Sequence, residues 1–196
     1  MKKCILFCFF LFACITASAQ PNDFRAVMTQ DELSWSEDTR DAAYLAPNTK
    51  FIGKKWFPQK SRHFIFNQNG TIKIVERYES DEYGGDVVLW TETTPGTWKR
   101  QKSFLTLNYN MKQKVYNVNT STIKNYSLRK QDQIKTNLAR MQSSDRQKNY
   151  PADQFEFYRI DDDIMILYLK NTGSMLYLFS EKKILELIER IKNKAK

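Results

Sequence analysis

Between residues 62 and 119, hydrophobic and polar positions alternate in short runs bounded by turn-forming residues. Arg62-His63-Phe64-Ile65-Phe66 reads as a strand, and Asn67-Gln68-Asn69-Gly70 as the turn that follows it. Thr71 to Tyr78 is the returning strand, Glu79 to Asp86 an acidic loop containing Gly84-Gly85, and Val87 to Thr93 a third strand. Pro95-Gly96 reads as the next turn, with the chain continuing through Thr97 to Gln101. Phe104 to Met111 alternates most cleanly. Leu105, Leu107, Tyr109 and Met111 share one face, and Thr106, Asn108 and Asn110 the other, the pattern of a half-buried antiparallel strand. Lys114 to Asn119 pairs naturally with it.

The period then changes. Ser127 to Lys148 holds no glycine or proline, and Ile134, Leu138 and Met141 form a narrow apolar stripe at helical spacing. Strands resume after Pro151 as Phe155 to Ile160, Ile164 to Leu169 and Met175 to Phe179. Asp161-Asp162-Asp163 and Asn171-Thr172-Gly173 are the turns between them. Ser180 suits the cap of a final helix with Ile184, Leu187, Ile188 and Ile191 on one face. The whole is mainly β: about eight antiparallel strands in an up-and-down barrel, with a helical insertion at 122–150 and a C-terminal helix. Closure would remove the free edges that such a meander leaves. The barrel domain takes residues 51–196. Residues 20–50 form an acidic N-terminal arm, in which Thr29 and Glu32 have capping-box spacing.

Residues 1–19 change the picture of compartment and chemistry. Lys2-Lys3, the apolar run Ile5 to Phe12 and Ala17-Ser18-Ala19 have the three parts of a secretory signal peptide. Its removal predicts an exported protein, periplasmic or secreted. In the alternative, Leu11-Phe12-Ala13-Cys14 serves as a lipobox and Cys14 becomes an acylated N-terminus. Cys4, Cys8 and Cys14 are the only cysteines, so cleavage after Ala19 leaves neither disulfide nor thiol chemistry and lowers the formal charge from +9 to +7. No later apolar run is long enough to span a membrane.

Enzymatic motifs are thin. His63 is the single histidine, and there is no Gly-x-Ser-x-Gly elbow. One imidazole without thiols does not make a zinc site. Asp161-Asp162-Asp163 lacks the spacing of a calcium loop and reads as a hairpin turn. Glu76, Glu92 and Glu156 lie on strands without an assigned role. The reading is non-catalytic, with no cofactor and no metal.

Several segments resemble secreted bacterial lipocalin-like proteins, small calycin-type barrels. They are Gly53-Lys54-Lys55-Trp56 opening the first strand, Phe64 to Gly70, Gly96-Thr97-Trp98-Lys99 and Leu105-Thr106-Leu107. Ile160-Asp161-Asp162-Asp163, Ile166-Leu167-Tyr168 and Tyr177-Leu178-Phe179 complete the set. The resemblance covers roughly residues 51 to 180. It implies a cup that binds a small apolar or amphipathic ligand. Its interior candidates are Trp56, Phe64, Phe66, Trp90, Trp98, Leu105, Leu107, Tyr109, Phe157 and Tyr177. An eight-stranded barrel is wide enough either to fill with such side chains or to hold one small ligand, and both readings stand at this point.

Charge adds a second candidate surface. Between Lys112 and Lys148, nine basic residues face only Asp132 and Asp145, so this segment alone accounts for +7. Arg129, Lys130, Lys135 and Arg140 are its partner-binding candidates, able to attract an anionic envelope component or an acidic protein. No nucleic-acid-binding motif accompanies them. Two functions follow: a ligand-binding barrel with the helix at its mouth, or a solid barrel that docks through the basic helix.

Overall fold

In the computed structural model, which describes residues 24–80, 87–147 and 150–194, the alternating segments form nine antiparallel strands. The segment read as a signal peptide and the Gly84-Gly85 loop tip lie outside the described residues. The strands are β1 (Lys55–Gln59), β2 (Arg62–Phe66), β3 (Thr71–Ser80), β4 (Val87–Gln101), β5 (Phe104–Tyr109), β6 (Val115–Val118), β7 (Asp153–Ile160), β8 (Ile164–Leu169) and β9 (Ser174–Ser180). The helices are α1 (Gln30–Leu33), α2 (Glu37–Leu45), α3 (Thr120–Ile123), α4 (Leu128–Gln147) and α5 (Glu181–Lys194). None is long and apolar enough to cross a membrane.

Strands β1 to β5 form a meander, β5 pairs with β7, and β7, β8 and β9 return to β1. The result is a closed eight-stranded antiparallel barrel, with β6 as a ninth strand on the outer half of β4.

Two sequence expectations are corrected here. Pro95-Gly96 is not a turn. It lies inside β4, which pairs with β3 from Thr71↔Thr97 to Ser80↔Val87. The Pro95 carbonyl accepts from the Asn110 backbone N–H at 2.8 Å. The Pro95 nitrogen points the same way and has no N–H to return that bond, so the β4–β5 ladder stops at Gly96↔Tyr109. At Gly96, a Cβ would run into the Asn108 carbonyl and press on Ile72, so glycine here permits close approach of β4 to β5.

The second correction concerns β6, which does not pair with β5. The two lie end to end along β4, β5 on residues 96–101 and β6 on Trp90 to Thr93, separated by the 3-10 turn Met111–Gln113. The free edge of β5 goes instead to β7, because closing the barrel satisfies more backbone than a local hairpin would. The β3–β4 ribbon is consequently longer than the barrel and overhangs one end.

The arm is built into the fold. Its Thr29/Glu32 capping box is present, and Ser36 and Thr39 form another at the start of α2. Ala43 of α2 and Phe51 enter the barrel core. Phe24 packs with Phe57, Ile166, Phe179, Ile184 and Leu187, between the outer barrel wall and α5. Glu32 ties the arm to α5 through Lys183 and through Arg190 at 2.8 Å. Burial opposes the Glu32 charge, but hydrogen bonds from Arg190 and Lys183 outweigh it and bring the pKa down to about 2.

Candidate functional site

Alternation assigns the barrel interior. On β2, Phe64 and Phe66 face in and His63 and Ile65 face out; on β7, Phe155 and Phe157 face in. Seven of the ten sequence candidates meet in this core: Trp56, Phe64, Phe66, Trp98, Leu105, Leu107 and Phe157, with Tyr109 packed against them. Two sit elsewhere. Tyr177 faces outward beneath α5, because Leu176 and Leu178 on either side of it take the inward positions, so its reading as an interior residue is corrected. Trp90 belongs to a separate cluster beyond the barrel end.

The interior is divided in two. At the end carrying the Asn67–Gly70 and Gln101–Phe104 turns, aromatic rings fill the space. Phe51 lies 5.3 Å from both Phe66 and Trp98 and 5.7 Å from Phe157, ring centre to ring centre. Phe51, Trp56, Phe66 and Phe157 have no surface that water can reach. The indole N–H groups are satisfied: Trp56 donates to the Phe51 carbonyl at 3.0 Å and Trp98 to the Asn67 carbonyl at 2.9 Å. Arg100 seals this end. Its guanidinium lies 4.7 Å over the Phe157 ring and donates to the carbonyls of Ala43, Tyr44 and Ala46, the last turn of α2.

The opposite end has polar walls. Arg62 continues the inward row of Phe66 and Phe64, its guanidinium 5.4 Å from the Phe64 ring. The register places Glu76 beside it on β3, then Glu92 on β4. Across the barrel, Asp153 continues the inward row of Phe157 and Phe155 and accepts a 2.7 Å hydrogen bond from the Tyr109 hydroxyl. Strands β2 and β7 lie on opposite sides of the ring, so inward-facing Arg62 and Asp153 confront each other across this end, and the Arg62 charge favours the ionised forms of Asp153 and Tyr109. Burial raises the Asp153 pKa against the opposing pull of Tyr109 and Arg62, and burial and Asp153 together raise that of Tyr109. Arg62 Nε is shut off from water and has no hydrogen-bond partner among the described residues.

Helix α4 covers the overhanging ribbon above this end. Ile134, Leu138 and Met141, the stripe read from the sequence, pack on Leu89, Trp90, Tyr78 and Tyr116. Tyr78 and Trp90 stack at 4.7 Å. Trp90, Glu92 and Tyr116 share a face with Trp98, so α4 rests on the continuation of the inner wall. Lys114 fastens it, pairing with the buried Glu92 and, at 2.7 Å, with Asp145 of α4, which also accepts from Tyr116 at 2.6 Å. Burial works against the Lys114 charge, but these two carboxylates more than compensate and raise its pKa.

The helix buries Asp145 and turns its cations out. Arg129, Lys135 and Arg140 are exposed, Lys130 is half-buried, and exposed Asp132 lies 3.9 Å from Lys135. His63 faces outward, buried against the Phe57 ring at 5.0 Å, its pKa lowered by burial and then by Lys55 and Arg77. Glu156 is also outside the lumen, engaged by Arg40 at 2.6 Å and by Tyr44.

Arg62, Asp153, Lys114 and Asp145 were not singled out as lining residues. For two of them the signal was present: Arg62 and Asp153 each occupy the next inward position of a row otherwise made of phenylalanines. Comparison with protein-family models and with curated proteins gives no match for this chain.

Proposed function

We propose that this is an exported, non-catalytic binding protein of lipocalin-like type, which seats one small amphipathic ligand in the polar half of its barrel beneath α4. The observation that carries this reading is the inward-facing Arg62, on the strand opposite Asp153, without a partner of its own at Nε. A barrel serving only as a core gains nothing from this arrangement. A buried polar group without a hydrogen bond costs stability, and apolar side chains of the same volume would close the space at lower cost. A pocket is the setting in which a few convergent polar groups among apolar walls serve a purpose. Phe64, Ile74, Leu107, Leu169 and Leu176 supply those walls below Arg62. The aromatic half offers no such polar group, since its indole N–H groups and Arg100 already have partners.

Native mass spectrometry of the protein purified from its own envelope tests the reading. A co-purified small molecule, released on unfolding and absent from an Arg62→Met, Tyr109→Phe double variant, is the expected result. A bare mass in repeated preparations, with no organic compound in the denatured extract, would overturn it.

A second reading rests on a separate observation. Because Asp145 is turned inward onto Lys114, the outward face of α4 presents Arg129, Lys135 and Arg140 with Asp132 as its one exposed acid. Such a face suits docking on an anionic envelope component or acidic protein. Charge reversal at Arg129, Lys135 and Arg140 would then abolish low-salt recovery of the partner, and unchanged recovery would eliminate the idea.

A further inference from the structure

We propose that the ligand carries a single carboxylate, which pairs with Arg62 between β2 and the Tyr109–Asp153 pair on the opposite wall. This rests on the binding reading above and specifies its chemistry. The charged groups facing the lumen at this end fall into two sets. Lys114 is fully engaged, held between Glu92 and Asp145. Among the described residues, Arg62 is the remaining cation facing the lumen at this end, with Nε unpartnered. A guanidinium binds a carboxylate through two parallel N–H donors in a fixed plane, one of them Nε–H in the side-on arrangement. Nε is the atom left without a partner here.

The surrounding wall sets the charge. Asp153 lies across from Arg62, and Glu76 and Glu92 follow it along the register. A doubly charged phosphate would meet two further carboxyl positions, Asp153 and Glu76, with only one uncommitted cation, whereas a monoanion matches that cation one to one. Burial favours the neutral form of Asp153, which reduces the repulsion a second carboxylate would feel. Tyr109 then supplies a hydroxyl that can turn from Asp153 to the incoming oxygen. The body of the ligand would lie on the apolar tier of Phe64, Ile74 and Leu107 or under the Tyr78–Trp90 stack, both of which adjoin the polar ring.

The probes are benzoate and octanoate, each titrated beside its uncharged alcohol, benzyl alcohol or octanol, into the full chain without its first 19 residues. Calorimetry should find at least one acid binding roughly tenfold or more tighter than its alcohol, the value of one charge-assisted contact. In 15N spectra, the Arg62 Nε–H resonance should shift on addition of that acid and stay in place with the alcohol. Arg62→Met should remove the preference for the acid, while Arg62→Lys, which keeps the charge and loses the fork, should retain part of it. Thermal unfolding of both variants establishes that they are folded. Alcohols that bind as well as their acids, with Arg62 Nε–H unmoved, would overturn the carboxylate assignment and leave the binding reading standing. If neither acids nor alcohols bind and the native extract is bare, both fall. Tighter binding of inorganic phosphate than of either acid would also overturn the assignment.

Discussion

The two ends of the barrel are built from the same strands and closed by opposite means. At one end, Phe51 and the α2 segment insert apolar groups into a ring of aromatic side chains, and Arg100 spends its donors on backbone carbonyls. At the other, the inward rows change from phenylalanine to Arg62 and Asp153, and a helix is held overhead by a buried ion triad. The first arrangement gains stability with every contact. The second gives some of it up, since paired buried charges only roughly repay their desolvation and an unpaired donor repays nothing. Stability is thus concentrated at the aromatic end, and the proposed site lies at the end that gives some of it up.

The largest effect should come from the aromatic end. Phe66→Ala removes a ring in contact with Phe51 and Trp98 and should cost about 3–5 kcal/mol in denaturant unfolding. Arg62→Met, at the same depth of sequence pattern but the other end, should be neutral or stabilising. Equal losses from the two would break the comparison.

The next effect lies in the helix latch. Lys114→Met strands the buried Glu92 and Asp145 carboxylates and should cost about 3 kcal/mol. Hydrogen exchange should report it as lost protection in α4 and β6 while β7, β8 and β9 keep theirs. Replacing all three charges by apolar residues should restore protection. Lys114 is raised in the folded state, so its stabilisation is complete below the unfolded lysine value and lost as pH rises through the folded one. The α4 signals should therefore loosen only in strong alkali.

At the border between the ends, Gly96→Ala drives a methyl into the Asn108 carbonyl and should cost about 2 kcal/mol by forcing β4 and β5 apart. A neutral result, read by thermal melting, would show that the strands yield at the polar end of their contact.

The smallest effect concerns the arm. The Glu32 carboxyl is depressed to about 2, so its contribution is present above the unfolded value near 4.5 and is lost as pH falls from there toward 2. Glu32→Gln should flatten that part of the acid-unfolding curve by roughly 1 kcal/mol, given partial screening by solvent.

Much of this design was legible along the chain. The alternation from Phe104, which ends at Tyr109 rather than at the expected Met111, the Asn67–Gly70 turn, the Ile134/Leu138/Met141 stripe and the Ser180 cap each depend on neighbours a few residues apart, and each is present. Pro95-Gly96 misled because the same two residues serve a turn or a crowded strand, and only the position of Asn108 distinguishes them. Tyr177 misled because an aromatic on an apolar strand is compatible with either face until α5 claims the outer one. The mixed ends of the β2 and β7 rows were visible as Arg62 and Asp153, but not that they confront each other.

By itself, then, the sequence determined what local periodicity can encode: which segments are strands, which are helices, and which side chains share a face. Only the tertiary structure decided which edges close the ring, that α4 lies over the inner wall, and that Arg62 of β2 and Asp153 of β7 face one another across the ring. The last of these joins residues about ninety positions apart, and the ring closes between Trp56 and Ser180, farther apart still. No local pattern carries them, because they arise when backbone edges and apolar faces are satisfied together.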